Sequence, residues 1–349
     1  MINVGLVGAG YWGPNVAKSI ELTKKGRIRW LCDLSEKRLQ GLSARYPEAK
    51  TTTSLSEVLQ DNTLQAVCLS TPVNTHFALA KEILEAGKHL FVEKPITDNS
   101  EEAIVLTRLA KDKGVKLMVG QVFEYNPSII ALDKLIRSGG LGDVQYVSCE
   151  RTNLGPVRTD VNALWDLATH DISIICKIFD SKPVSVSAKG KVFLNKDVED
   201  VVFSTYLLDD GTLVNMHASW LNPRKVREIT VVGSKKMAVW DDLDIKSPLK
   251  IYNKSVKIPN PDSGEFTDTF LAYKTTCVDG GVEAPQIEMV PPLQAECEHF
   301  LDRIEKDLNP DTDGYSAYRV VRILEATTES LKADGKTVAV AIKPREEVV

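Results

Sequence analysis

The sequence predicts an α/β chain in two parts: a parallel sheet covered by helices, then a region built on an antiparallel sheet. Two observations carry this. In the first third, short apolar strands (residues 3–7, 28–32, 66–70, 90–93 and 116–119) alternate with helical stretches such as the one carrying Trp12, Val16 and Ile20 at one-turn spacing. That βαβα rhythm is the signature of a parallel sheet with helices on its faces. Further on, strands follow one another directly: residues 201–208 and 212–220 flank Asp209-Asp210-Gly211, and residues 229–232 and 237–240 flank Gly233-Ser234. An Asp-Gly step between alternating runs is a hairpin signal.

The parallel rhythm ends around residues 123–127, which places the boundary between a domain at 1–123 and another at 124–349. Two helical segments close the chain, near residues 293–306 and 317–331. The stretch 260–292 is rich in Pro and Gly and reads as loops with short strands.

With 349 residues the chain is long enough for two buried cores. Its net charge of −5 argues against a nucleic-acid or polybasic membrane surface. No apolar run reaches bilayer length. The opening Met1-Ile2-Asn3-Val4-Gly5-Leu6-Val7 has no basic region or cleavage site and reads as a first strand, so a cytoplasmic location is expected. The cysteines, Cys32, Cys68, Cys149, Cys176, Cys277 and Cys297, form no C-x-x-C pair and sit mostly in apolar runs. They are expected to be reduced and buried, with no metal site.

The first strand runs into Gly8-Ala9-Gly10-Tyr11-Trp12-Gly13, a G-x-G-x-x-G loop that opens a helix. Asp33 follows about twenty residues later at the end of the next strand, the context a dinucleotide loop requires. Gly8 permits the tight turn, Gly10 lets backbone approach a pyrophosphate, and Gly13 lets the helix pack on the sheet. The free N–H groups and positive end of that helix favour phosphates. Asp33 is suited to ribose hydroxyls and repels a 2′-phosphate, which favours NAD over NADP. Lys37 and Arg38 either weaken that preference or are solvated helix residues.

Two groups of residues suggest chemistry. Lys94 follows strand Leu90-Phe91-Val92 in Glu93-Lys94-Pro95, at the carboxyl edge where ligands of such sheets bind. On spacing alone a surface lysine is the preferred reading. In Trp165-Asp166-Leu167-Ala168-Thr169-His170-Asp171, apolar residues follow at helical spacing, so Asp166 and His170 lie one turn apart on one face. The carboxylate can orient the imidazole and stabilise its charged form, while the helix N-terminus opposes that charge. The plainer reading is a capping Asp and a structural His. His76, after Ser70-Thr71-Pro72-Val73-Asn74-Thr75, lies near the same strand ends. His89, His217 and His299 read as structural or exposed.

These pieces, with Tyr125-Asn126-Pro127, resemble the Gfo/Idh/MocA family over essentially the whole chain. The Glu93-Lys94-Pro95 signature in this order is the most specific of them and overturns the surface reading of Lys94. The resemblance implies an α/β N-terminal Rossmann domain plus an α+β C-terminal domain with a large, mostly antiparallel open sheet. It implies hydride transfer between a nicotinamide cofactor and a sugar or polyol carbinol, with Lys94, Asp166 and His170 in the site. The cofactor-facing residues it implies are Gly8, Gly10, Tyr11, Trp12, Gly13 and Asp33 in the first βαβ unit, Ser70, Thr71, Pro72, Asn74 and His76 after the next strand, and Glu93, Lys94, Gln121 and Trp165. Tyr125, Asn126 and His170 are candidates for sugar contacts. Arg151 or Arg158 could pair with a diphosphate, or either could form a surface salt bridge.

The segment 153–162 leading into Trp165, and Pro310-Asp311-Thr312-Asp313-Gly314, are similar to the branch acting on UDP-N-acetylglucosamine or its uronate at the 3-hydroxyl; Pro310–Gly314 reads equally as a helix-entry loop. Many relatives carry Pro where this chain has Thr169, which removes no catalytic group. A small sugar substrate, nucleotide-linked, and a homodimer or homotetramer are expected. The alternatives are a free sugar or polyol such as inositol, reduction of a keto-sugar nucleotide, and a non-catalytic NAD-binding regulator.

Overall fold

The computed structural model describes residues 1–155, 157–158, 161–194, 198–256 and 277–349. It contains two sheets. The first is a six-stranded parallel sheet in the order β3-β2-β1-β4-β5-β6, formed by β1 (Ile2–Val7), β2 (Gly26–Cys32), β3 (Lys50–Thr52), β4 (Ala66–Leu69), β5 (His89–Glu93) and β6 (Leu117–Gly120). Helices α1 (Gly13–Leu22), α2 (Glu36–Ser43), α3 (Leu55–Leu59), α4 (His76–Glu85) and α5 (Ser100–Asp112) connect the strands. The strand cores are apolar throughout: β4 and β6 are wholly buried, as expected of strands covered on both faces. The short β3 escaped the sequence reading because Lys50-Thr51-Thr52 carries no apolar run.

The compact unit around this sheet is not continuous in sequence. It takes Met1–Asn126 together with Val290–Glu325 and Ala341–Val349. The break at 126/127 lies near the expected division at 123/124, and two later segments return to this unit. The reason is helix α8 (Pro292–Glu305). Its apolar face, Cys297, Phe300 and Leu301, joins Leu6, Val16, Ile20, Phe91 and Met118 in one core, and Phe300 meets Phe91 with ring centroids 5.8 Å apart. Burying each such side chain contributes ~1.5–3 kcal/mol. Gly26 makes room for this packing, since a Cβ there would come within 2.9 Å of both Ile20 and Leu301.

The other unit comprises Pro127–Met289 and Ala326–Val340. Its nine-stranded sheet has the order β14-β13-β12-β11-β7-β10-β9-β8-β15. The strands are β7 (Val144–Leu154), β8 (Pro183–Lys191), β9 (Val201–Leu208), β10 (Leu213–Ser219), β11 (Leu221–Gly233), β12 (Met237–Asp241), β13 (Leu249–Val256), β14 (Cys277–Glu283) and β15 (Val338–Ala339). All neighbours are antiparallel except β10 and β7. Both expected hairpins are present. Of the stretch 260–292, residues 260–276 lie outside the described residues, and β14 follows them.

Alternation along these strands buries one face, including Val147, Cys149, Tyr206, Met216, Ile229 and Trp240. Helices α6 (Pro127–Arg137) and α7 (Thr169–Ile178) belong to this unit, as does the last part of α9 (Gly314–Lys332). There Thr327 meets the Tyr206 hydroxyl at 3.1 Å and Ser330 accepts the Ala188 N–H at 2.9 Å. The opposite face is partly open. Strand register aligns Leu207, Leu213, Tyr146, Val232, Met237 and Tyr252 across six strands as one apolar row.

Cys32, Cys68, Cys149, Cys176 and Cys297 are buried and in no disulfide; the Cys277 side chain is outside the description. No described helix is long and apolar enough to cross a membrane.

Candidate active site

The glycine loop has the geometry its spacing requires. Gly8 takes φ +98°, and a Cβ there would collide with the Ser70 carbonyl. A Cβ on Gly13 would collide with the Gly8 carbonyl, so the start of α1 can close on the loop only with glycine. Beside Gly10 there is open space, which fits backbone contact with a pyrophosphate. The N-terminus of α1 has no side-chain cap. Tyr11 is almost fully exposed.

Asp33 does more than the sequence suggests. Its Oδ2 accepts the Ala9 N–H at 2.7 Å and its Oδ1 accepts the Ser35 N–H at 2.8 Å, so the carboxylate pins the loop from within. Arg38 places Nη1 3.7 Å from Oδ2 and is otherwise exposed. This arrangement fits an adenosine ribose, with one cation beside it.

At the end of β4, Pro72 and Asn74 are exposed and Thr71 is partly so. His76 is not a crevice residue. It is 1% exposed, with Nδ1 2.9 Å from the Pro95 carbonyl and Nε2 2.8 Å from the Thr71 carbonyl. Burial lowers its pKa despite those two acceptors. The expected cofactor contact is therefore replaced by a backbone clamp.

β5 ends on Glu93, whose carboxyl lies flat against Gly120 of the paired strand; a Cβ on Gly120 would be 3.1 Å from Oε2. The Trp12 side chain and the Lys94 main chain hydrogen-bond to this carboxyl. Burial outweighs them and the positive charge of Lys94, and raises its pKa to about 7. Glu93 Oε1 is sealed and finds no partner among the described residues. The same holds for Gln121 Oε1 and for both carboxyl oxygens of Glu296 on α8. Burial, then the charges of Glu93 and Glu124, push the Glu296 pKa well up. A protonated carboxyl supplies the donor that such buried oxygens otherwise lack. Sequence inspection missed Glu296, because a Glu on an amphipathic helix reads as solvated, and Glu124, which sits in a short 3-10 turn.

Tyr125 is also turned inward. Its hydroxyl is 3.1 Å from Thr312 Oγ1, which donates to the Val119 carbonyl at 2.8 Å, and its ring packs 5.1 Å from His299. Its expected sugar contact is thus corrected to a structural one. Asn126 is buried as well. The segment 310–314 is a helix-entry loop: Thr312 pairs with the edge of β6, and Asp313 Oδ1 accepts the Ser316 N–H at 3.0 Å.

In the second unit the expected helix begins differently. Leu164–Ala168 form a π-helical turn that runs into α7. Asn162 Oδ1 accepts the Trp165 N–H at 3.1 Å, and Thr169 Oγ1 donates to the Trp165 carbonyl at 2.5 Å. The Trp165 indole donates to Thr328 Oγ1 at 3.0 Å. Asp166 Oδ2 accepts the indole N–H of buried Trp220 at 3.1 Å, and Arg158 Nη1 lies 3.3 Å from Oδ1. Partly exposed His170 stands four residues on, still on the same face.

Arg151 cannot serve a diphosphate. Its Nη2 lies 2.6 Å and its Nε 3.0 Å from Asp171 Oδ1, and both side chains are 3% exposed. Half-exposed Arg158 keeps an open face. In the motif before it and after it, Pro156, Thr159 and Asp160 lie outside the described residues.

Two profiles of one family match this chain: "Oxidoreductase family, NAD-binding Rossmann fold" over residues 2–121 and "GFO/IDH/MocA C-terminal domain" over residues 129–239. The chain belongs to the Gfo/Idh/MocA family. The UDP-N-acetylglucosamine 3-dehydrogenase of Acidithiobacillus ferrooxidans is 30% identical over 192 residues, 55% of this chain and 59% of that protein. The inositol 2-dehydrogenase of Rhizobium meliloti is 28% identical over 204 residues, 57% and 61% of the two chains. The aligned part thus spans about three fifths of these relatives' length. A solved structure of the Acidithiobacillus protein superposes with a TM-score of 0.81 at 25% identity, covering 95% of this chain and 98% of that one.

Within this Gfo/Idh/MocA chain, the first unit presents the glycine loop, Asp33, the β4 end and Glu93-Lys94-Pro95 along the carboxyl edge of one sheet. The second unit fixes Asp166 by two donors. Trp220, which supplies one of them, lies 54 residues from Asp166; no local pattern could have paired them. Its only signal was a buried indole that needs an acceptor.

Proposed function

We propose that this protein is an NAD-dependent dehydrogenase that oxidises the 3-hydroxyl of a nucleotide-linked N-acetyl sugar, such as UDP-N-acetylglucosamine or its uronate. The observation that carries an acid–base role is the Asp166 carboxylate, held by Trp220 and Arg158 one turn before His170. A non-catalytic NAD sensor needs no such paired carboxylate and imidazole. The preference for NAD rests on Asp33, whose negative charge disfavours a 2′-phosphate. The sugar class rests on similarity to the UDP-N-acetylglucosamine 3-dehydrogenase.

When bound, the nicotinamide supplies the hydride acceptor. His170, one turn beyond Asp166, is assigned to take the hydroxyl proton. Lys94 polarises the oxygen and steadies the developing alkoxide. Half-exposed Arg158, beside Asp166, is the arginine assigned to the diphosphate, since Arg151 is enclosed with Asp171. That loss also favours a second reading, oxidation of a free polyol, supported by similarity to the inositol dehydrogenase.

The apolar row on the open sheet face supports assembly into a homodimer or homotetramer. Sedimentation that gives a monomer at micromolar concentration rejects that assembly.

The deciding experiment offers purified protein UDP-N-acetylglucosamine, its uronate and inositol with NAD or NADP, and follows NADH or NADPH absorbance. Turnover of a nucleotide sugar with NAD, lost in Lys94→Ala with NAD binding retained, is the expected result. Activity on inositol alone selects the polyol reading. Full activity in Lys94→Ala rejects the mechanism.

A further inference from the structure

We propose that His76 is a positioning residue for Lys94: a buried latch that ties the Pro95 carbonyl to the end of β4 and so fixes the turn that presents the lysine. This rests on the dehydrogenase reading for its catalytic consequence, but the latch itself is a property of the first unit.

The argument starts from where His76 sits. It opens α4, a helix with no side-chain cap at its start, and its ring turns inward between two segments that leave the sheet at neighbouring strand ends. One is Thr71, two residues beyond β4; the other is Pro95, two residues beyond β5. Both ring nitrogens face main-chain carbonyls, at 2.9 and 2.8 Å. The remaining group bearing on the ring is the Ile96 main chain. Both hydrogen-bond partners of the ring are therefore main-chain carbonyls, and that backbone carries Lys94 on one side and the cofactor-edge residues Thr71 and Pro72 on the other. The Thr71 side is braced again by its own hydroxyl, 2.8 Å from Thr75 Oγ1. The Pro95 side has its tie to β4 through His76.

Chemistry distinguishes the two contacts. A neutral imidazole has one N–H, so it donates to one of the two carbonyls and turns a lone pair toward the other. Only the imidazolium donates to both. Burial disfavours that charge, and no ionised side chain among the described residues offsets it. At neutral pH the ring thus makes a single strong bond. We assign it to Nδ1 and Pro95, the bond that holds the lysine turn.

Three variants dissect this. In His76→Asn the amide nitrogen falls where Nδ1 was and can still donate to Pro95. In His76→Gln it falls where Nε2 was and can reach only Thr71. His76→Phe keeps the ring and removes both. His76→Asn is expected to stay within about fivefold of the wild-type kcat. His76→Gln and His76→Phe are expected to lose about 100-fold, the scale of an ångström misplacement of a catalytic group, with KM for the sugar little changed. A merely structural histidine predicts instead that all three lose activity in proportion to lost folded protein. That result, or a wild-type kcat in folded His76→Phe, overturns the proposal.

Nitrogen-15 spectra of the full-length protein test the latch without substrate. Nδ1 should be protonated at neutral pH, and Nε2 should take its proton only below the ordinary histidine value of 6.5. A proton found on Nε2 instead rejects the assignment. If no sugar is turned over at all, the function reading fails while the spectra still decide the latch.

Discussion

The indole N–H of Trp220 donates to Asp166 Oδ2 at 3.1 Å, linking the residue between β10 and β11 to the carboxylate standing before His170. Trp220 is buried, so its indole N–H depends on this acceptor. Trp220→Phe keeps most of the apolar volume and deletes the donor. A lost hydrogen bond to a charged group costs about 1.5–3 kcal/mol. We expect a drop in kcat of at least tenfold, with NAD binding retained. Unchanged steady-state kinetics in the folded variant show that Asp166 needs no such support.

Asp33 holds Ala9 and Ser35 by their N–H groups, and we propose that it also receives the ribose. Asp33→Ser removes the negative charge while leaving Arg38 beside the site. NAD affinity should fall by tenfold or more, and the ratio of NADP to NAD efficiency should rise. If titrations with both cofactors leave that ratio unmoved, Asp33 is a loop anchor only.

The Arg151–Asp171 pair is fully enclosed. Breaking one partner leaves an uncompensated buried charge, at a cost of about 3–5 kcal/mol. Arg151→Met should therefore lower the denaturation midpoint sharply, and adding Asp171→Leu should recover much of the loss. Such recovery in urea melts marks the pair as architecture; a double variant as unstable as the single contradicts this.

The sealed carboxyls near Glu93 give stability a pH slope. A carboxyl with a raised pKa holds its proton more tightly when folded than when unfolded. The stability it contributes is complete below the unfolded value of 4.5 and is lost as pH rises, through about 7 for Glu93 and further for Glu296. Glu296→Gln keeps the shape and stays neutral. The wild-type melting temperature should fall across this window, and the variant should flatten that fall and melt higher in mildly alkaline buffer. A variant with the same pH slope as wild type shows that Glu296 does not titrate there.

The features that were legible in the sequence are local ones. The glycine loop, the spacing to Asp33, the Asp-Gly hairpin and the alternation of β9 and β10 each depend on a few adjacent residues. What was illegible is pairing over long separations. Arg151 and Arg158 look alike as surface cations, and only the fold gives Asp171 to one and Asp166 to the other. Tyr125 and His76 sit beside recognisable motifs, yet both turn inward to Thr312 and to backbone carbonyls. Helix α8 carries an ordinary amphipathic pattern that does not say which sheet it covers.

That last helix has a consequence for how the protein comes to exist. The chain passes between its two compact units four times, at residues 126/127, 289/290, 325/326 and 340/341. During synthesis the parallel sheet emerges first but must wait, with the side of Phe91 that Phe300 covers still bare, until nearly three hundred residues have left the ribosome. A premature stop anywhere in the second unit therefore damages the first as well, and the nucleotide-binding part cannot be cut out and grafted elsewhere as its first 123 residues alone.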